Sequence, residues 1–412
     1  MKIAAIIAEY NPFHKGHAYH IEKTRELTGA DYVVTVMSGD FVQRGAPAIV
    51  NKYKRTEMAL SCGADAVLEL PLPYAVSSAE YFAGGGVTLL HKLNCIDYLS
   101  FGSECGEIDQ LDKLADVLLS EPLTYREALA GKLKGGLSFP VARCKALKET
   151  FFPGDAEDTI NEILSNPNNI LALEYLKALK QLNSTITPVT VKRCGSYHDT
   201  HLTAYSSATA IRKALFEQAD DVFTYLPEAS SRLLSKETAS CYLDSDDFSL
   251  LLYYKLLSEK EAGFADYLDC NREISDKISK NLSKYKDFSS FCDLLKSKNL
   301  TYTRISRFLL HILLNLKTPA GFSKPVHERS LLVPYVRVLG FRKESAPLLN
   351  LMKKQSQIPL VSNLPGAFDV LDEEGFKQLQ QTTDASLLYE AVFTSKCGIS
   401  NPNEVLRSPI IL

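Results

Sequence analysis

The sequence has no apolar run long enough to cross a membrane. The longest, residues 3–8, falls well short of the roughly 20 residues of a membrane-spanning helix. The first residues also lack the apolar core and small-residue cleavage site of a signal peptide, and we expect a buried strand there instead. The chain has neither an internal repeat nor a low-complexity tract. With 45% hydrophobic and 23% charged residues, a soluble globular protein is predicted.

Cysteine pairs of the CxxC type are absent, although the chain contains nine cysteines. Neither a zinc knuckle nor a disulfide framework is therefore indicated. Acidic clusters that would form a metal cage are absent as well, so we expect no dedicated metal site. These features are typical of a protein of the reducing cytoplasm.

Positive charge is concentrated in one stretch. The whole chain has a net charge of −3, but residues 272–354 hold 17 lysines and arginines against six aspartates and glutamates, a net charge of +11. A basic block in an otherwise acidic chain predicts a surface for a polyanion. Our candidate RNA-binding residues are Arg304 and Arg307, three apart on one predicted helix face, and Arg342 and Lys343, beside a turn.

Short β-rich runs alternate with helical patterns in the first half of the chain. Strands are predicted at residues 3–8, 31–37, 66–70, 98–101 and 187–192, and helices at residues 18–27, 52–62 and 78–93. Such alternation predicts right-handed βαβ units around a parallel sheet, a Rossmann-like α/β fold with its ligand at the carboxyl ends of the strands. Beyond residue 216 helical periodicity dominates. We therefore divide the chain into a catalytic α/β domain, residues 1–215, and a mostly helical domain, residues 216–412.

The strongest local motif directly follows the first predicted strand and reads Asn11-Pro12-Phe13-His14-Lys15-Gly16-His17. Gly16 has no Cβ, so the backbone can approach an anion, and the helix that begins here directs its free amides toward that anion. His14 and His17 are three residues apart and can face one ligand, where imidazole donors stabilise the charge that grows during phosphoryl transfer. Lys15 adds a positive charge nearby. The alternative is that both histidines only cap a helix.

A second motif, residues 205–212, precedes a late helix. Ser207 and Thr209 can cap that helix and donate to phosphate oxygens. Arg212, one turn inside, can hold a phosphate with both arms of its guanidinium. The two motifs together predict the opposing walls of a triphosphate site, whereas the second motif alone would be an ordinary helix cap.

The combination of His14-x-Gly16-His17 with residues 207–212 resembles the HxGH nucleotidyltransferase superfamily, although Ala208 stands where many members have a second serine. Residues 8–17, 37–45, 101–104 and 165–171 are similar to those of the bacterial tRNA(Met) cytidine acetate ligases. The resemblance implies that ATP and acetate form acetyl-adenylate, and that the acetyl group passes to N4 of the wobble cytidine of elongator tRNA(Met). It implies ATP as a substrate, with Mg²⁺ expected on its phosphates, and we expect the mostly helical domain, residues 216–412, to bind the tRNA.

The resemblance also implies which residues hold the nucleotide. We expect His14, His17, Lys15 and Arg212 to act in catalysis. The expected ATP-binding residues are Ile7, Ala8, Glu9, Tyr10, Asn11, Pro12, Phe13, His14, Lys15, Gly16, His17, Ala18, Tyr19, His20, Gly102, Asn168, Arg193, Ser207 and Thr209.

Acetate-binding residues are not predicted uniquely. Asp40, Gln43 and Arg44 follow the second strand and are candidates for an acetate or RNA contact, or for a lid held by its own turns. His198 is a candidate for an active-site contact, whereas His91, His311 and His327 are expected in the core or on helix surfaces. Two rival functions remain: an adenylyltransferase or acetate ligase that acts on a small molecule or a protein thiol, and a non-catalytic nucleotide-binding regulator or RNA-binding module.

Overall fold

A computed structural model describes residues 1–137, 139–151, 157–193, 207–219, 221–234, 241–298, 300–318 and 331–412. The strands are β1 (Ile3–Ala8), β2 (Tyr32–Ser38), β3 (Phe41–Val42), β4 (Ala46–Pro47), β5 (Ala66–Leu70), β6 (Tyr98–Ser103), β7 (Thr187–Lys192), β8 (Val336–Phe341), β9 (Leu360–Val361) and β10 (Ile410–Ile411).

The helices of the first half are α1 (Lys15–Thr28), α2 (Lys52–Ser61), α3 (Leu72–Ala75), α4 (Ala79–Leu93), α5 (Ile108–Ser120), α6 (Leu123–Lys134), α7 (Phe139–Phe151), α8 (Glu157–Ser165), α9 (Pro167–Gln181) and α10 (Ala208–Phe216). Those of the second half are α11 (Glu228–Leu233), α12 (Ser249–Glu259), α13 (Arg272–Asn281), α14 (Phe288–Leu295), α15 (Tyr302–Leu313), α16 (Ala346–Gln355) and α17 (Glu373–Cys397). Short 3-10 turns lie at Val222–Tyr225, Ser245–Phe248, Leu282–Lys284, Lys343–Ser345, Pro365–Asp369 and Glu404–Leu406.

Five parallel strands form the centre of the sheet in the order β5-β2-β1-β6-β7. β1 pairs with β2 from Ile3 opposite Tyr32, and with β6 from Ala4 opposite Tyr98. The chain adds β2 and β5 on one side of β1 and adds β6 and β7 on the other. The carboxyl end of β1 therefore lies where the order of the strands changes direction. The predicted Rossmann-like α/β fold with a parallel sheet is confirmed.

The sequence did not predict the strands that the second half of the chain adds to this sheet. β8 pairs antiparallel with β5, with Phe341 opposite Ala66 and Arg337 opposite Glu69, and β9 and β10 then pair with β8. Beyond residue 216 the described chain is mostly helical, as predicted, but its helical periodicity did not reveal these three strands. The assignment of catalysis to residues 1–215 and of tRNA binding to residues 216–412 stays a prediction.

Alternating residues of β1 reach two separate cores. Ile3 and Ile7 pack with Phe82 of α4 on one face of the sheet, while Ile6 packs with Ile21 of α1 on the other. This burial on both faces explains why β1 reads as a continuous apolar run. The histidine motif directly follows this buried strand.

A third core joins the two halves of the chain. Phe41 and Val76, from segments that follow β2 and β5, are buried among the helices α12, α14, α15 and α17. Across the described residues, no helix is long and apolar enough to cross a membrane.

Candidate functional site

A cleft of about 390 Å³ lies at the carboxyl ends of β1, β6 and β7, where the ligand of a parallel sheet is expected. Most of the predicted site residues line it. They are Ile7, Ala8, Glu9, Tyr10, Asn11, His14, His17, His20, Gly102, Asn168, Arg193, Ser207, Thr209 and Arg212.

The two histidines of the motif are held by each other and by the backbone. His14 caps α1, and its Nδ1 accepts a hydrogen bond from the Gly16 amide at 3.1 Å, while His17 Nδ1 accepts from the His14 amide at 3.2 Å. The two rings stack with their centroids 3.7 Å apart. Since each Nδ1 accepts, each neutral ring carries its proton on Nε2, which leaves an N–H donor for a ligand.

Gly16 makes this arrangement possible. A Cβ at this position would lie 2.9 Å from the Cε1 atom of the His14 ring. Any other residue would therefore displace the ring that caps the helix, so the glycine is required for close packing around His14.

The environment of the histidines keeps them uncharged. Burial, and then the positive charges of Arg193 and Arg212, lower the pKa of His14 to about 3. Burial, followed by His14, also lowers the pKa of His17 well below its ordinary value. Neutral imidazoles beside two arginines form a site that supplies hydrogen-bond donors, with the positive charge on the guanidinium groups.

His20 extends the same wall of the cleft. Its Nε2 lies 3.0 Å from Ser100 Oγ, and Thr24 Oγ1 lies 2.7 Å from the same serine oxygen. Burial, and then Arg193, lower the pKa of His20 to about 4. His20 is therefore a third neutral imidazole on α1.

The second motif forms the opposite wall. Ser207 caps α10 by accepting from the Ala210 amide at 3.2 Å. Arg212 donates to the Asn11 carbonyl oxygen at 2.7 Å and to Thr209 Oγ1 at 3.1 Å. The structure thus brings the two motifs together, as the sequence analysis predicted.

Six residues of the predicted nucleotide segment lie outside the cleft lining: Pro12, Phe13, Lys15, Gly16, Ala18 and Tyr19. Phe13 is fully buried in the core beneath the loop. The ammonium group of Lys15 donates to the Thr224 carbonyl oxygen at 2.6 Å. Lys15 is therefore the only member of the predicted catalytic set that the structure directs away from the cleft.

Asn168 and Gly102 both line the cleft. Asn168 Nδ2 donates to Glu104 Oε1 at 2.6 Å, and the same carboxylate accepts from the Asn169 amide at 2.8 Å through Oε2. A Cβ on Gly102 would lie 3.3 Å from Arg193 Cγ. The small residue therefore leaves room for the arginine beside the open end of β6.

Asp40, Gln43 and Arg44, the three candidates in the loop after β2, have different surroundings. Gln43 and Arg44 line the cleft. Asp40 is 4% exposed and accepts from the Lys52 amide at 2.7 Å, so its carboxylate holds the loop in place and is not available to acetate or RNA. Arg44 donates to Thr209 Oγ1 at 3.3 Å, which connects the loop to the wall formed by α10.

This loop also contacts the second half of the chain. Gly45, with a φ of 77°, is so close to α15 that a Cβ would lie 2.4 Å from the Arg307 nitrogen. Ser306 Oγ donates to the Gly45 carbonyl oxygen at 2.7 Å. The contact places Thr303 and Arg307 of α15 in the cleft lining.

The four candidate RNA-binding residues do not share one surface. Arg304 is exposed on α15, whereas the half-buried Arg307 lies at the cleft with its Nε 3.6 Å from Asp269 Oδ2. Arg342 and Lys343 follow β8, whose last residue is opposite the first residue of β5. Because β8 is antiparallel, this pair lies at the edge of the sheet opposite the cleft. Arg342 also forms an ion pair with Glu344 at 2.5 Å.

Two of the four other histidines considered in the sequence lie in the described part of the chain. His91 lies on α4 with Nδ1 3.2 Å from Ser184 Oγ, and the fully buried His311 contacts the carbonyl oxygens of Leu268 and Val76. These two positions agree with helix-surface and core roles. His198 and His327 lie outside the described residues. Across the described part of the chain, no group of three or more His, Cys, Asp and Glu residues is placed to hold a metal ion.

Sequence reasoning missed an apolar compartment of the cleft. Its walls include Phe82 of α4, Phe101 of β6, and Leu171 and Tyr175 of α9. The Phe101 and Tyr175 rings are tilted, with centroids 5.6 Å apart. In the sequence these residues are ordinary core positions of helices and strands, so only the packing of α4 against α9 could reveal them.

Comparison with known proteins agrees with this geometry. Residues 1–402 match the protein family described as HIGH Nucleotidyl Transferase. The tRNA(Met) cytidine acetate ligase of Thermoanaerobacter sp. strain X514 is 42% identical over 369 residues, which cover 88% of this chain and 89% of that protein. The protein of the same name from Clostridium perfringens strain SM101 is 38% identical, with both chains covered in full.

Solved structures are similar over the whole length. The crystal structure of Thermotoga maritima TmcAL bound with alpha-thio ATP has 31% sequence identity and a TM-score of 0.88, and the alignment covers 100% of both chains. The apo form of the same protein gives a TM-score of 0.89.

Proposed function

We propose that this chain, which belongs to the HIGH nucleotidyl transferase family and, within it, to the tRNA(Met) cytidine acetate ligases, is an ATP-dependent ligase of the cytoplasm. It joins acetate to AMP and transfers the acetyl group to N4 of the wobble cytidine of elongator tRNA(Met), which yields N4-acetylcytidine.

The observation that carries the proposal is the opposed pair of walls around the phosphate end of the cleft. His14 and His17 each have Nδ1 engaged by a backbone amide, so their Nε2 protons are available to phosphate oxygens. Arg212 is fixed across from them by Asn11 and Thr209. Donors that are already positioned stabilise charge without reorganisation when the reaction occurs.

ATP occupies the cleft with its triphosphate between these walls. The backbone of residues 7–20, together with Arg193, Ser207 and Thr209, surrounds the phosphates, while Gly102 and Asn168 lie toward the nucleoside. Lys15 acts from outside the cleft lining, through the field of its charge. Mg²⁺ would bind with the phosphates rather than to a protein cage, because this ion usually keeps several waters and takes substrate phosphates as ligands.

The first step needs alignment more than a protein nucleophile. An acetate oxygen attacks the α-phosphorus of ATP, the bond to the β-phosphate oxygen breaks, and pyrophosphate leaves. His14, His17 and Arg212 stabilise the charge on the phosphate oxygens during this displacement. The product is acetyl-adenylate, a mixed anhydride.

In the second step the N4 amine of cytidine attacks the acetyl carbonyl carbon. The carbon–oxygen bond to AMP breaks, AMP leaves with the electron pair, and N4 loses a proton to solvent. The exocyclic amine is a weak nucleophile, so it needs both the reactive anhydride and close placement. A base splayed out of the anticodon loop into the cleft meets this requirement.

ATP–pyrophosphate exchange tests the first step. We expect exchange of labelled pyrophosphate into ATP only when acetate is present, and without any need for tRNA. Exchange at the same rate with no carboxylate, or only with a phosphopantetheine-type substrate, would contradict acetate as the substrate. Acetate-dependent exchange without acetylation of added tRNA would instead favour a small-molecule or protein-thiol acceptor.

A further inference from the structure

The apolar compartment of the cleft contains a polar group that the described residues leave without a partner. Tyr175 lines the cleft and is 2% exposed, and its hydroxyl forms no hydrogen bond within the described part of the chain. Buried hydroxyl groups are almost always paired, because an unpaired one loses its hydrogen bond to water without compensation. An unpaired phenol on a cleft wall therefore points to a ligand that completes the bond.

Glu9 lies in the same cleft and supplies the complementary group. Its Oε1 accepts from the Gln43 amide at 2.9 Å, the only hydrogen bond that its side chain forms with a described residue. The second carboxylate oxygen remains for a ligand. Burial, and then the Glu9 charge, raise the pKa of Tyr175 above its ordinary value, so the phenol is a neutral donor near pH 7.

A carboxylate is poorly suited to contact a triphosphate, because two anions repel each other. The backbone of Glu9 can border ATP while its side chain faces a different substrate. The cationic side of the cleft, with Arg193 and Arg212, takes the phosphates. The side with Glu9, Tyr175 and Phe101 offers one acceptor, one donor and a flat apolar surface.

That combination matches the edge of one class of nucleobase. Cytosine has a ring nitrogen that accepts a hydrogen bond beside an exocyclic amine that donates one, and adenine has the same arrangement, whereas uracil has a ring N–H beside a carbonyl oxygen. Aromatic side chains also stack on unpaired bases of RNA. The compartment therefore favours an amino-substituted base and disfavours uracil.

We propose that Tyr175 and Glu9 read the acceptor cytosine, with the Tyr175 hydroxyl donating to its ring nitrogen N3 and Glu9 accepting from its N4 amine. This inference rests on the proposed function, since it assigns ATP to the cationic side of the cleft and the acceptor base to the apolar side. Tyr175 and Glu9 are specificity-determining residues, which orient the amine toward the acetyl carbonyl and need take no part in the phosphoryl step.

The test measures both half-reactions on the same preparations. Tyr175→Phe removes only the hydroxyl, and we expect its kcat/KM for tRNA acetylation to fall roughly tenfold or more. Its acetate-dependent ATP–pyrophosphate exchange should keep the wild-type KM for ATP and the wild-type rate. Tyr125→Phe is the matched control, because Tyr125 is equally buried in the same core but does not line the cleft. That variant should keep both activities.

Unchanged acetylation by Tyr175→Phe would overturn the inference. A parallel loss of exchange, or a raised KM for ATP, would overturn it as well and would place adenine in the compartment. Failure of the proposed function is distinguishable, because the wild-type protein would then lack acetate-dependent exchange or tRNA acetylation before any variant is compared. In that case both the function and the inference fall.

Glu9→Gln provides a second measurement that does not depend on turnover. Glutamine retains an oxygen for the Gln43 amide but can present an N–H donor to the base. Anticodon stem-loops with cytidine or uridine at the acceptor position are compared for binding. The wild-type protein should prefer cytidine by roughly tenfold, and Glu9→Gln should reduce this preference severalfold. An equal preference in both proteins would remove Glu9 from base recognition.

Discussion

The guanidinium of Arg212 donates to the Asn11 carbonyl oxygen over 2.7 Å. Asn11 begins the loop that ends at His14, and Arg212 lies in the second turn of α10, so this bond joins the two walls of the cleft. The distance between histidine donors and guanidinium is thereby set before a ligand binds. Such preorganisation is what electrostatic stabilisation of a phosphoryl transition state requires.

Replacement of His17 by alanine should slow the chemical step far more than it weakens binding. Loss of one preorganised donor costs about 2–4 kcal/mol of transition-state stabilisation, or roughly 30- to 1,000-fold in kcat of the exchange reaction. ATP affinity, measured by calorimetry, should fall less. His91→Ala, on α4 outside the cleft lining, is the control and should retain wild-type exchange. A folded His17→Ala protein with wild-type turnover would exclude the proposed stabilisation of phosphate charge by His17.

His14 should make the stability of the protein depend on pH. Its pKa is lowered to about 3 by burial and then by Arg193 and Arg212, whereas an unfolded histidine titrates near about 6.5. The unfolded chain therefore binds the extra proton between these values. The contribution of His14 is fully present above pH about 6.5 and is lost as the pH falls toward 3, at up to about 1.36 kcal/mol per pH unit.

The measurement is urea unfolding at pH 7 and at pH 5 for wild type and His14→Gln. Glutamine can still accept from the Gly16 amide but does not titrate. The decrease in free energy of unfolding between the two pH values should be smaller in the variant by roughly 2 kcal/mol. An equal decrease in both proteins would show that His14 is not held neutral in the folded state.

Glu404, close to the end of the chain, should be essential for stability. Its carboxylate lies 2.7 Å from both Lys52 Nζ and Arg337 Nη2, with Glu69 2.7 Å from the same lysine. Burial by itself raises the pKa of Glu404, but Lys52 and Arg337 outweigh it and lower the pKa to about 2. Glu404→Gln leaves these buried cations short of one negative charge, which costs about 3–5 kcal/mol.

Thermal and urea unfolding check this expectation, with Glu261→Gln as control. The Glu261 side chain is 92% exposed and lies 3.9 Å from Lys260, so its replacement should change stability little. The stabilising effect of Glu404 should be present above pH about 4.3 and should decline as the pH falls toward 2. A Glu404→Gln protein as stable as wild type would mean that the cluster does not need this carboxylate.

The two pairs of candidate RNA-binding residues should contribute differently to tRNA affinity. Arg304 and Arg307 lie on α15, which reaches the cleft, whereas Arg342 and Lys343 lie at the opposite sheet edge. We expect Arg304→Ala/Arg307→Ala to weaken tRNA binding and to lower the slope of log affinity against log salt by up to about 2. Arg342→Ala/Lys343→Ala is the matched double variant and should bind tRNA nearly as wild type. The reverse result would place the tRNA at the opposite edge.

Local sequence patterns predicted both motifs that form the walls of the cleft. The His14 motif follows a strand buried on both faces, and Ser207 lies at the start of a helix. Their spacing was therefore enough to predict the two walls of the triphosphate site. The direction of Lys15 was not predictable, because its partner, the Thr224 carbonyl oxygen, is 209 positions away. No local pattern distinguishes a lysine that faces a ligand from one that faces a distant loop.

β8 was not predicted for the same reason, because it depends on partners that are distant in sequence. Arg337 lies within its apolar run, where a charge usually indicates a solvent-facing position. Here the side chain is 5% exposed because Glu69 and Glu404, remote in sequence, compensate its charge. The identity of the residues that line the apolar compartment likewise depends on how α4 and α9 meet.

Mass spectrometry of nucleosides measures acetylation of cytidine in tRNA(Met) without an intermediate assay. An unmodified elongator tRNA(Met) transcript is incubated with the protein, ATP and ¹³C-labelled acetate, then digested. We expect labelled N4-acetylcytidine at the wobble position, with none when ATP or acetate is omitted or when the wobble base is uridine. Absence of the labelled nucleoside under conditions in which acetate-dependent exchange proceeds would show that the protein does not acetylate this tRNA.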